Sequence, residues 1–77
     1  MGGDVRVYEI SYIPGIGKFE EIESLIKKSG LKIERKRSLK IKEDVLQGEW
    51  ECRGGVTKHN HFTDALMVDK DIIEVKY

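Results

Sequence analysis

Seventy-seven residues with fourteen basic and fourteen acidic side chains make one small domain of zero net charge, which argues against a nucleic-acid module held by bulk charge, because such modules carry a clear basic excess. The single cysteine, Cys52, excludes an intrachain disulfide framework, and no run approaches the roughly 20 apolar residues of a membrane span. A chain of this length buries only about 60% of its unfolded surface, so a second copy or a partner domain is a useful source of stability.

Met1-Gly2-Gly3 (1–3) reads as an expression leader ahead of a single domain, 4–77. The first residues lack the basic start and apolar run of a secretory signal, so a cytoplasmic setting is expected. Residues 5–12, VRVYEISY, are rich in β-branched and aromatic side chains and read as a strand. Tyr8, Ile10 and Tyr12 share one face. Val5 and Val7 make the other face partly apolar, which predicts either a central position in a sheet or a sheet whose second face is partly covered.

Ile13-Pro14-Gly15-Ile16-Gly17 then turns the chain, with proline fixing one φ and glycine permitting positive values. Phe19, Ile22, Leu25 and Ile26 recur at helical spacing. Glu20, Glu21 and Glu23 sit early and Lys27 and Lys28 late, which suits the helix dipole. Gly30, just past the end of that helix, predicts a left-handed cap.

From 31 to 41 the period changes to two. Leu31, Ile33, Leu39 and Ile41 share a register with Arg35 and Arg37, so the arginines interrupt the apolar face and predict a long edge strand that bends or extends past the core; its charges discourage unwanted pairing. Lys42-Glu43-Asp44 is a short polar turn into 45–53, where Leu46, Gly48, Trp50 and Cys52 alternate inward, giving a hairpin. After Gly54-Gly55, Thr57 or Asn60 is expected to cap a second helix carrying Phe62, Ala65, Leu66 and Met67 inward. Residues 72–77 close the chain as a strand with Ile73, Val75 and Tyr77 on one face. The order β-α-β-β-α-β predicts an α+β, ferredoxin-like fold, an antiparallel four-stranded sheet with two helices on one face.

Candidate chemistry is sparse. Gly15-Ile16-Gly17-Lys18 lies between strand and helix but lacks the spacing of GxxxxGK[ST] and the third glycine of GxGxxG, so it reads as a tight turn. His59 and His61 invite a metal reading with Cys52, yet two histidines two apart on a helix diverge by roughly 200°; a solvated helix start is the reading preferred. The run Arg35-Lys36-Arg37 is interleaved with acids and lacks the stacking aromatics of an RNA-binding sheet. Cys52 with a histidine base has no third orienting group and reads as a buried, inert thiol. No catalytic residue and no cofactor is assigned, and an enzyme is not expected.

With this order in hand, YIPGIGKFEEIESLIKKSGLKIE resembles an ACT-type domain. There the first strand ends in a Pro-Gly or Gly turn, a helix follows and a glycine introduces the second strand, as Pro14-Gly15 and Ser29-Gly30-Leu31 do here. The Asp-bearing turn before IIEVKY is similar as well. The resemblance implies a non-catalytic regulatory or interaction domain, with an effector bound at the first turn, and so points to Pro14, Gly15, Ile16 and Gly17. In size, order, charged second strand and Glu-rich third strand the chain also resembles the C-terminal cytoplasmic domain of the MgtC/SapB family of bacterial membrane proteins. That likeness implies a soluble domain of a magnesium-transport-associated inner-membrane protein. Its partners would be the rest of its parent protein, a second copy through the sheet and a small-molecule effector, with no nucleic acid. The alternatives are an amino-acid-binding ACT domain of a metabolic enzyme and a small metal-binding module using His59 and His61.

Overall fold

The β-branched and aromatic run near the start of the chain forms β1 (Asp4–Tyr12), followed by α1 (Lys18–Lys28), β2 (Lys32–Lys42), β3 (Val45–Gly54), α2 (Val56–Met67) and β4 (Ile72–Lys76). A computed structural model describes residues 3–42 and 44–77, with the side chains of 40–42 excepted. Met1 and Gly2 of the expected leader, Glu43 of the expected turn and the side chain of Ile41 lie outside the described residues. The strands form one antiparallel sheet in the order β2-β3-β1-β4. This is the expected ferredoxin-like arrangement, with β1 central and β2 at an edge.

Alternation along the central strands builds the core. Tyr8, Ile10 and Tyr12 from β1 meet Trp50 and Cys52 from β3, and Ile22, Ile26, Phe62 and Leu66 of the two helices close over them. Each such apolar side chain contributes about 1.5–3 kcal/mol when fully buried. Phe19 and Leu25 pack partly against this cluster, completing the α1 stripe read from the spacing. Val5 and Val7 lie on the opposite, open face and are exposed.

α1 ends as its glycine predicts. Gly30 has φ 91°, the Gly30 amide donates to the Lys27 carbonyl and the Leu31 amide to that of Ile26. These are the two bonds of a Schellman cap, with Ile26 and Leu31 supplying the apolar contact that accompanies it.

Three expectations need correction. In β2 the register shifts between Ile33, opposite Cys52, and Arg35, opposite Glu51. Glu34 is the extra residue of a bulge, which moves the side chains that follow it, up to Leu39, to the other face; the register shifts again between Lys40 and Lys42. Ile33 therefore packs on the core, while Arg35, Arg37 and Leu39 share the open face and Lys36 lies opposite Trp50. The single register expected for Ile33 and Leu39 is broken, and the bulge spares the core two guanidinium groups.

A second bulge in β4 sets Ile72 opposite Tyr12 and Glu74 opposite Ser11. Ile72 and Val75 thus pack on the core and Ile73 is exposed.

The third correction concerns α2, which begins at Val56 with Gly55 as its cap and no side-chain cap bond, rather than at Thr57 or Asn60. The extra turn places His59 in line with Phe62 and Leu66 at i, i+3 and i+7, and all three are buried. Met67, expected inward, is 84% exposed.

Candidate functional site

The turn between β1 and α1 is shaped by its own sequence. Gly17 caps α1 in a left-handed conformation, φ 73°, which a β-substituted residue would adopt only at a cost. The Lys18 amide donates to the Gly15 carbonyl and the Glu21 amide to that of Gly17. Pro14, Gly15, Ile16 and Gly17 are all exposed. Ile13 and Ile16 also present apolar side chains to solvent.

Two ties hold this turn against the turn between α2 and β4. The Ile13 amide donates to the Asp71 carbonyl at 2.9 Å. The Lys18 ammonium reaches the carboxylates of Asp69 at 2.6 Å, Glu21 at 3.2 Å and Asp71 at 3.3 Å. Asp69 is itself oriented by the Asp71 amide, which donates to its Oδ1 at 2.9 Å, an Asx-type turn that presets the acidic pair.

Lys18 is only 6% exposed. Burial alone would lower its pKa, but the hydrogen bonds to Asp69, Glu21 and Asp71 outweigh it and hold the ammonium above the ordinary lysine range. The Lys18 hydrogen bond holds the Asp69 carboxyl below its usual range, with burial opposing and the Asp71 amide assisting.

Beside this cluster a groove of about 670 Å³ runs between α1 and the α2–β4 turn. Ile22, Leu25, Ala65 and Val68 line it with apolar surface, and Lys28 lines it toward the C-terminal end of α1. Glu21, Asp69 and Asp71 against Lys18 and Lys70 leave the Lys18 end with one net negative charge. Glu21 and Asp71 carry that charge to solvent, with side chains 64% and 55% exposed. The arrangement is suited to bind an amphipathic molecule bearing an amino or other cationic group; it contains no nucleophile paired with a base.

Sequence reasoning pointed to the turn but missed Lys18, Asp69 and Asp71. A signal was present: Lys18 stands four residues before Ile22, in line with the apolar stripe of α1, where a lysine requires an acidic partner. Asp69-Lys70-Asp71 is an acidic pair at the connection the topology brings alongside.

The histidines separate. His59 is buried, its Nδ1 2.7 Å from the Tyr8 hydroxyl and its Nε2 3.0 Å from the Asp4 carbonyl. A carbonyl only accepts, so Nε2 carries the hydrogen and the Nδ1 of the neutral ring accepts the Tyr8 proton. Both nitrogens are committed, and His61 lies exposed on another face. His59 is thus neither part of a solvated helix start nor one of a convergent ligand pair. Burial, followed by the nearby Glu51 charge, pushes the Cys52 thiol up to about 12, which leaves almost no thiolate at neutral pH. Trp50 stacks on Phe19 at 4.8 Å, a core role.

No family model and no curated protein matches this sequence. In three dimensions the chain is similar to the ACT domain from GTP pyrophosphokinase of Chlorobium tepidum. The crystal structure of that domain superposes with a TM-score of 0.78 at 16% identity, over 99% of this chain and 97% of that one. Its solution NMR structure gives 0.73 at 16% identity, over 95% and 83%. Element order, sheet order and superposition agree: this chain has the fold of an ACT domain.

Proposed function

We propose that the chain is a non-catalytic regulatory domain that binds a small, amino-bearing effector at the β1–α1 turn and the adjoining groove. The observation that carries this reading is the double tie of the turn, Ile13 to Asp71 and Lys18 to Asp69. It fixes an exposed glycine turn beside exposed carboxylates and an apolar groove, so a ligand meets a preorganised surface. Likeness of fold to an ACT domain of a GTP pyrophosphokinase supports a regulatory role. The test is a titration of the isotope-labelled domain with a panel of amino acids and amines, followed by amide NMR. Shifts centred on 13–18 and 69–71 are expected; a panel that moves none of them at millimolar concentration ends the proposal.

The parent protein in this reading is an MgtC/SapB-like protein of the bacterial inner membrane, with this domain in the cytoplasm. The long charged β2 and the glutamates of β3 support it. No helix among the described residues is long and apolar enough to cross a membrane, so the spanning segments would belong to the rest of that parent. A natural sequence ahead of Asp4 without membrane helices would exclude this parent while leaving the effector site untouched.

A second copy on the open sheet face completes the proposal. Val5, Val7 and Leu39 are 43%, 48% and 36% exposed there, and covering them would add the burial that so short a chain lacks. Sedimentation showing only monomer at millimolar protein would remove the dimer.

A further inference from the structure

Sheet order leaves β2 and β4 as edges, and they differ in kind. β4 has five residues, whereas β2 has eleven. Along an edge strand alternate residues turn their N–H and C=O groups outward, a template for another strand. From Lys32 to Lys42 the sequence offers six cations and one acid, Glu34. That acid is already engaged, 3.3 Å from Arg53 and 3.9 Å from Lys32. The bulge at Glu34 distributes the charge: Arg35 and Arg37 lie on the open face and Lys36 on the helix face. A strand laid along this edge would therefore meet cations on both of its sides.

We infer that the outer edge of β2 is a docking site for an extended acidic segment of a partner protein, added to the sheet as a fifth strand. Mixed charge on an edge repels strands of every kind, but charge of a single sign repels only its like. A second copy is the wrong occupant, because antiparallel pairing of β2 with itself is symmetric. Centred on Lys36, it sets Lys36 against Lys36 and Arg35 against Arg37. Centred on Arg37, it sets Arg37 against Arg37. Like charges directly opposite destabilise a strand pair.

An acidic strand reverses each of those terms and keeps the backbone ladder. Arg35 makes no ion pair among the described residues, while Lys36 and Arg37 lean on Glu23 and Glu49 with side chains 56% and 63% exposed. The Arg37–Glu49 pair lies near the surface and exchanges readily for a closer partner, whereas Lys36 is held 2.8 Å from the largely buried Glu23. Nucleic acid is disfavoured, because it has no peptide ladder to offer. The inference is independent of the effector proposal, since it concerns a different edge of the molecule.

The test uses the full chain, isotope-labelled, with an end-blocked peptide of three consecutive glutamates flanked by threonine and valine. Amides of 32–39 are expected to shift and to gain protection from solvent exchange, and both effects should fade in about 0.5 M salt, where screening is short-ranged. The same peptide with lysines for glutamates should do nothing. Arg35→Glu, at an exposed position, should weaken the acidic peptide and admit the lysine peptide. The inference is overturned if the acidic peptide moves no β2 amide at millimolar concentration, or if both peptides bind alike. It is equally overturned if the β2 edge is already protected by a second copy, or if an oligonucleotide shifts these amides and the acidic peptide does not.

Discussion

The Lys18 ammonium lies 2.6 Å from an Asp69 carboxylate oxygen that is 51 residues away in the chain. This contact joins the start of α1 to the turn before β4, and the β1–α1 turn inherits its position from it. A hydrogen bond to a charged group is worth about 1.5–3 kcal/mol, and the low exposure of Lys18 limits screening by solvent. Lys18→Met keeps the buried stem and removes the charge. It should lower unfolding free energy by about that amount in urea titration. Amide spectra of the variant should show its largest shifts at residues 13–17 and 69–71, because the tie and not the core has been cut.

The same contact sets a pH dependence. Asp69 has a folded pKa below its unfolded value, which is about 3.9 for an aspartate. The native state therefore binds fewer protons in acid than the unfolded one. The stabilisation is complete above about pH 5 and is lost as pH falls through the folded value. Lys18 is raised, so its side of the contact is present at all pH below the ordinary lysine value of about 10.4. The difference in unfolding free energy between the natural chain and Asp69→Asn should be level from about pH 5 to 9 and shrink toward pH 2. A difference that stays level in acid would mean the carboxylate is not what the tie stabilises.

Much of this architecture was legible because its signals are local. The stripe of Phe19, Ile22, Leu25 and Ile26, the glycine at position 30 and the alternation around Trp50 each follow from residues a few positions apart. What was not legible depends on other elements. A bulge is a property of a strand pair, so nothing within 31–41 says that Glu34 will be skipped. Burial of His59 depends on where α2 starts. Gly55 offers no capping side chain to mark that start, so the sequence alone does not show His59 in line with Phe62. For the site, the turn itself was readable from Pro14 and its glycines. The acidic cluster beside it was not, because Asp69 and Asp71 arrive from the far end of the chain and only the topology sets them beside Lys18.

The buried bridge from Tyr8 through His59 to the Asp4 carbonyl gives a third prediction. His59→Phe keeps an aromatic ring, larger than imidazole, but leaves the buried Tyr8 hydroxyl without its partner, at about 1–3 kcal/mol, and removes the bond to the Asp4 carbonyl. Tyr8→Phe alone strands only Nδ1. Adding Tyr8→Phe to His59→Phe removes the orphaned hydroxyl, so the double variant should be more stable than the sum of the two losses implies, with a coupling of about 0.5–3 kcal/mol. Urea unfolding of the four proteins measures it; strict additivity would show that the 2.7 Å contact contributes nothing. Zinc added to the natural chain should leave the His59 ring signals in place, because both nitrogens are already bonded within the fold.

Gly48 and Gly15 should respond to the same substitution in opposite directions. A methyl group built at Gly48 would lie 2.3 Å from Cη2 and 2.5 Å from Cζ3 of Trp50. That indole is fully buried and stacked on Phe19, so it cannot swing aside. Gly48→Ala therefore overpacks the core and should cost about 1–3 kcal/mol, outweighing the roughly 0.4–1 kcal/mol gained by restricting the unfolded chain. A methyl group at Gly15 meets nothing within 4 Å, and its φ lies outside the left-handed range. Gly15→Ala should keep that entropic gain and raise stability by about 0.4–1 kcal/mol. Urea unfolding measures both changes, and tryptophan fluorescence gives a separate readout of the first. A shifted emission for Gly48→Ala with an unchanged one for Gly15→Ala would place the cost at the indole, whereas equal effects at the two glycines would mean that backbone entropy alone is at work.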